Sequence, residues 1–154
     1  MVKTKKFIAD VIERLRPIMT FDPIEDRVSY AIGQLSSHLR VSLRTLRFYE
    51  QAGLLAPDRD GLRRLYSRDD LERLEIIVTL RELEVSLTAI KSLMSMIDGD
   101  GRASEPEILK RVEEILCELA GDNLARIDEL QKINARIDDA RRNLADGRGA
   151  LRES

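Results

Sequence analysis

The chain has no tryptophan, and its three phenylalanines and three tyrosines make up only 4% of the residues, too few to line the usual small-molecule pocket. A single cysteine, Cys117, excludes an internal disulfide and any multi-cysteine metal cage, and His38 is the only histidine. Cys117 reads as a small apolar filler, and His38 as a surface or phosphate-neighbouring residue. There is no glycine-rich phosphate loop, no metal-ligand cluster and no Ser-His-Asp arrangement. No catalytic residue, metal site or cofactor is therefore expected, and the protein is not expected to be an enzyme. No apolar run is long enough to cross a bilayer and the N-terminus lacks a signal-peptide pattern, so a cytoplasmic location without membrane contact is expected.

Charge is plentiful, at 35% of the 154 residues, and it is unevenly placed. From Ser29 to Arg68 seven arginines face only Glu50, Asp58 and Asp60, which gives this segment +4 within a chain of net −2. A basic region joined to an acidic remainder is the asymmetry expected where one part meets phosphate.

Periodicity divides the chain into elements. Phe7, Ile8, Val11, Ile12, Leu15, Ile18 and Met19 recur at helical spacing over residues 3–19, with Pro17 disturbing the end. Thr20 to Arg27 reads as a linker. A short helix is expected around Ala31–Ser37 and another after Ser42, a good N-cap, ending near Gly53. The polar stretch Pro57–Gly61 followed by Leu62–Tyr66 fits a small hairpin, or wing. Ser67 and Ser86 cap two further helices, the second closed by Asp98-Gly99-Asp100-Gly101.

The last helix is the longest. Ser104 and Glu107 form a capping box around Pro106, and no proline follows. Leu109, Leu116, Asn123, Leu130, Ile137 and Leu144 repeat at seven-residue steps, with Val112, Leu119, Arg126, Ile133 and Ala140 between them. The simplest cover for this stripe is the same helix of a second copy, and Leu109, Val112, Leu116, Leu119, Asn123, Leu130, Ile133 and Ile137 are the candidate dimerisation residues. Folding back onto the residue 3–19 helix in a monomer is the alternative.

Two short helices, the second rich in arginine, suggest a helix-turn-helix. On the second, Leu43 and Leu46 are expected to serve the core alongside Glu50. Arg44, Arg47, Phe48 and Gln51 share the other face, with Thr45 and Tyr49 at its edges. Arginine can read guanine, glutamine adenine, and an aromatic ring a thymine methyl. Taken alone, that face is equally a solvated surface. Arg63, Arg64, Tyr66 and Arg68 in or beside the hairpin shift the balance, because paired arginines call for a nearby anion and phosphate supplies one.

Tyr30-Ala31-Ile32-Gly33-Gln34-Leu35, Val41-Ser42-Leu43-Arg44-Thr45-Leu46-Arg47-Phe48-Tyr49-Glu50 and Gly53-Leu54-Leu55 resemble the first helix-turn-helix of MerR-type bacterial transcriptional regulators. Arg63-Arg64-Leu65-Tyr66-Ser67 with Asp70-Leu71-Glu72-Arg73-Leu74 resembles their wing and third helix, and Arg81-Glu82-Leu83 with Val85-Ser86-Leu87 the turn into their fourth. The resemblance spans about residues 30–96; the long helix matches in kind and residues 1–28 have no counterpart. It implies a mainly α chain with a winged helix-turn-helix head (29–98) and a long helix for an antiparallel coiled-coil dimer (104–145); periodicity gives residues 1–28 as an N-terminal extension with an amphipathic helix, and polar, glycine-containing composition gives 146–154 as a flexible tail.

The function implied is sequence-specific binding of double-stranded promoter DNA as a homodimer that bends and untwists the duplex between promoter elements so that RNA polymerase can read both. Ser42, Arg44, Thr45, Arg47, Phe48, Tyr49, Arg63, Arg64 and Tyr66 are the DNA-binding candidates, and no effector is identified. A coiled-coil interaction module with a degenerate head is the alternative. Arg40 and Glu84 depart from the family pattern, each standing where glycine is common.

Overall fold

The computed structural model describes residues 2–22, 24–99 and 103–150. They fall into two compact units, residues 1–113 and 114–154.

In the first unit, α1 (Val2–Leu15) is followed by a 3₁₀ turn (Arg16–Ile18) that Pro17 opens, so the expected amphipathic helix stops where its proline dictates. Ile8, Val11, Ile12 and Leu15 are buried, and α1 packs on α4 (Arg68–Glu82) and α5 (Leu87–Asp98). Two further ties extend from the segment after it: Thr20 Oγ1 donates to both carboxylate oxygens of Glu82 at 2.9 and 3.0 Å, and the Phe21 ring lies 5.3 Å from that of His38.

A two-residue strand, β1 (Tyr30–Ala31), precedes α2 (Ile32–Leu39) and α3 (Leu43–Gln51). The hairpin β2 (Asp58–Asp60) and β3 (Arg63–Tyr66) joins β1 in a three-stranded antiparallel sheet of order β1-β3-β2, with Tyr30 opposite Tyr66. The hairpin was expected; β1 was not.

Helix starts follow local chemistry. Ser42, Ser67 and Ser86 accept from the backbone N–H groups of Thr45, Asp70 and Ala89. The ends of α2, α3 and α4 share one device. Val41, Leu54 and Val85 each donate a backbone hydrogen bond to the carbonyl five residues back, those of Ser36, Tyr49 and Leu80. The residue before each donor is left-handed: Arg40 (φ 54°), Gly53 (φ 74°) and Glu84 (φ 66°). Glycine suits this geometry, whereas the side chains of Arg40 and Glu84 are strained in it.

Helix α4 is the axis of the head. Leu71 and all seven residues from Leu74 to Leu80 are buried, so neighbours enclose it on every side. Two of the seven are polar. Glu75 Oε1 lies 3.1 Å from His38 Nε2 with both side chains at least nine-tenths covered, and Thr79 packs its hydroxyl in the interior. His38 is therefore an interior residue joining α2 to α4, not the surface residue expected. Arg73 fastens the end of α5, donating to both oxygens of Asp98 at 2.6 Å and to the Leu54 carbonyl at 2.6 Å.

Helix α6 (Glu105–Ala150) opens on the expected capping box: Glu107 Oε2 accepts from the Ser104 N–H at 2.6 Å and hydroxyl at 2.7 Å. These bonds hold the Glu107 carboxyl below its ordinary pKa. Ile108, Val112 and Ile115 are buried, whereas from Ala120 to Ala145 every residue is exposed. The helix continues five residues into the stretch expected to be a flexible tail; residues 151–154 of that stretch lie outside the described residues. Cys117 is exposed rather than an interior filler.

Candidate DNA-binding interface

The face that α3 turns outward is set by the two residues it buries. Leu46 and Tyr49 point into the core, which leaves Arg44, Arg47, Phe48 and Gln51 exposed on the opposite side. The helix is rotated relative to expectation: Leu43 is exposed, and Tyr49 takes the core position assigned to it. Ser42 caps the helix through Thr45, whose own hydroxyl lies 2.8 Å from that of Ser42. Arg44, Arg47, Thr45 and Ser42 thus sit together on an accessible surface, and Phe48, 49% exposed, adds an apolar ring.

The wing lies beside this helix because of Glu50. In the β2–β3 register Arg59 stands opposite Arg64, a like-charge pair that would repel. Glu50 on α3 resolves it: its Oε2 accepts from Arg64 Nε at 2.6 Å, and its Oε1 is 3.6 Å from an Arg59 guanidinium nitrogen. The Glu50 bond holds the Arg64 guanidinium pKa above its usual value. Phosphate was anticipated as the anion for the Arg63–Arg64 pair; for Arg64 the chain supplies a carboxylate, Glu50, which does not engage Arg63. Arg63, one residue before, is exposed with Asp60 opposite it in the register.

Two candidates are withdrawn from this surface. Tyr66 is 0% exposed, and its hydroxyl is enclosed without a partner among the described residues. Tyr49 is 5% exposed. Burial pushes both phenols up, opposed by Arg81 for Tyr49 and reinforced by Glu50 for Tyr66. Both serve the core, because β3 packs its last side chain inward and Tyr49 follows Leu46 by one helical turn. Conversely, Arg59 and Glu50 were missed as parts of the site; the only clue was that a two-residue turn after Asp60 puts position 59 opposite 64.

Of the dimerisation candidates, Val112 is already covered within one chain at 7% exposure. Leu109, Leu116 and Leu119 are half-buried, and Asn123, Leu130, Ile133 and Ile137 are exposed. Leu124, Ile127 and Leu144 are exposed as well. Among the described residues no group of three or more His, Cys, Asp or Glu side chains is placed to hold a metal ion, and no helix is long and apolar enough to cross a membrane.

Helices α1, α2, α3 and α5 with a β-hairpin and a buried α4, preceding one long helix, define a winged helix-turn-helix regulatory fold. The pattern of the MerR HTH family of regulatory proteins matches residues 30–97. The chain is 33% identical over 108 residues to the HTH-type transcriptional regulator ZntR homolog of Haemophilus influenzae, covering 69% of this chain and 76% of that protein. It is 37% identical over 116 residues to the HTH-type transcriptional activator TipA of Streptomyces coelicolor, covering 73% of this chain but only 41% of that protein. A crystal structure of HiNmlR, a MerR family regulator lacking the sensor domain, bound to promoter DNA, superposes with a TM-score of 0.51 at 26% identity, over 68% of this chain and 79% of that one. The chain belongs to the MerR family and is a transcriptional regulator with a DNA-binding head.

Proposed function

We propose that the protein binds double-stranded promoter DNA sequence-specifically as a homodimer, and bends and untwists the duplex between promoter elements so that RNA polymerase can engage both. The observation that carries this reading is the outward face of α3, with Arg44, Arg47, Phe48 and Gln51, beside an arginine wing fixed to the same helix through Glu50. Arg44 and Arg47, exposed on that face, suit base edges; Ser42, Thr45, Arg63 and Arg64 suit phosphate contacts, which fix register.

Homodimerisation is supported by the apolar residues of α6 that one chain leaves uncovered, Ile127, Leu130, Ile133, Ile137 and Leu144. Exposed large apolar side chains repeating along a helix call for another helix, and a second copy closes the assembly by symmetry. In this reading residues 29–98 are the DNA-binding head, 104–145 the dimerisation helix, and 1–28 an extension that the head incorporates through α1.

Selecting duplexes from a random pool with the purified chain, with sedimentation in parallel, tests the proposal. A two-fold related site, affinity falling steeply with salt, and a dimer in solution are expected. Circular permutation of the selected site then reads the bend. A chain that stays monomeric, or selects nothing at low ionic strength, overturns it.

A further inference from the structure

Leu62 is an apolar side chain 98% exposed at the very tip of the wing. It stands in the two-residue link between Asp60 and Arg63, the last pair of the β2–β3 ladder, and Gly61 beside it takes the left-handed conformation (φ 58°) that makes so tight a turn possible. Such turns favour asparagine, aspartate, glycine or serine, so a leucine gains nothing from the turn itself. It gains free energy only when another surface covers it.

The surroundings specify that surface. Immediately behind the tip stand Arg59, Arg63 and Arg64, interleaved with Asp58 and Asp60, and Glu50 ties Arg59 and Arg64 to α3, whose outward face carries Arg44 and Arg47. Over the wing and this face five arginines stand against three acids, Glu50, Asp58 and Asp60, and an apolar point set in front of that cationic excess is suited to a polyanion with an apolar recess. The minor groove of a DNA duplex has this character, with deoxyribose walls between two rows of phosphate.

We propose that Leu62 is a further specificity-determining residue, which enters the minor groove flanking the site bound by α3 and packs on its sugars. The inference rests on the DNA-binding reading above and adds a position at which sequence is sensed. The exocyclic amino group of guanine projects into the minor groove and hinders an apolar intruder there. Leu62 therefore favours flanks lacking that group, whatever the major-groove face of those pairs.

The test uses the full chain and the duplex it selects, with flanking pairs written as A·T, G·C or I·C. Inosine removes the amino group and leaves the major-groove edge of guanine unchanged. The wild-type protein is expected to bind A·T and I·C flanks about fivefold more tightly than G·C, a ratio corresponding to partial burial of one leucine. Leu62→Ala is expected to lose this discrimination while keeping its melting temperature and salt dependence, since it removes no charge. Leu62→Met is expected to retain most of it. Arg63→Ala supplies the contrast, with a shallower salt slope and the flank preference intact.

Equal binding of I·C and G·C flanks by the wild type overturns the proposal. So does unchanged discrimination in Leu62→Ala, which would leave the tip in solvent or against a protein partner. A wild-type chain that selects no duplex removes the DNA-binding reading itself, an outcome distinct from either.

Discussion

Glu50 Oε2 accepts a 2.6 Å hydrogen bond from Arg64 Nε, so a carboxylate on the recognition helix orients a cation on the wing. The bond uses only one of the three guanidinium nitrogens. Glu50 thereby positions Arg64 rather than consuming it. Glu50→Ala is expected to weaken DNA binding about fivefold, roughly the net value of one charge-assisted hydrogen bond. Electrostatics alone predicts the opposite, since the substitution removes a negative charge from a phosphate-binding surface. A titration showing tighter binding would mean that Glu50 competes with DNA for Arg64.

Arg44 lies on the exposed face of α3, where no described residue engages it. If it reads a base, Arg44→Ala relaxes preference at one position of the site by about 1–3 kcal/mol, with other positions unaffected. Competition between the selected site and its single-base variants measures this. Uniform loss across all variants assigns Arg44 to the phosphates.

Arg40 and Glu84 occupy left-handed positions whose geometry Gly53 satisfies without strain in the same fold. Arg40→Gly and Glu84→Gly each relieve a steric cost of about 1–2 kcal/mol, partly offset by the greater chain entropy of glycine. A net gain of about 0.5–1 kcal/mol per substitution is expected in urea unfolding. Gly53→Ala, as the inverse change, is expected to destabilise. A loss of stability in Arg40→Gly would mean that the arginine side chain makes a stabilising contact.

The His38–Glu75 pair is enclosed between α2 and α4. Removing one member strands the other, so His38→Ala is expected to cost about 3 kcal/mol. Replacing both members with apolar residues, His38→Leu with Glu75→Met, is expected to recover most of that loss. Equal destabilisation in single and double variants would locate the cost in packing against Phe21 instead.

Asn123 stands among apolar neighbours on the exposed stripe of α6. A polar residue at such a position fixes register at a cost in stability. In the proposed dimer, Asn123→Leu is expected to raise the melting temperature. A clear fall would show that Asn123 makes needed hydrogen bonds across the interface, or that the helices pair in a different phase.

What was legible in the sequence was what is local. The serine caps at 42, 67, 86 and 104 act over three residues, and the proline at 17 acts on its own turn, so each was readable from spacing alone. The left-handed sites at Arg40 and Glu84 were visible as departures from a familiar pattern. Pairings across long separations were hidden. His38 and Glu75 are 37 residues apart, and nothing near His38 announces an interior acid. Nine residues of α3 left its rotation loosely defined, so Leu43 and Tyr49 exchanged places between surface and core. Tyr66 looked like a contact because its neighbours are arginines, but the alternation of β3 and its pairing with Tyr30 turn it inward.

The sealed middle of α4 restricts where this protein can diversify. A segment with neighbours on every side has no position free to acquire a ligand, a partner or a new base contact without disturbing the packing around it. Under the proposed function, changes of DNA preference therefore accumulate on α3 and on the hairpin, and changes of partner along α6, while α4 stays as it is. Exchanging those outer parts between related regulators should succeed more often than exchanging α4.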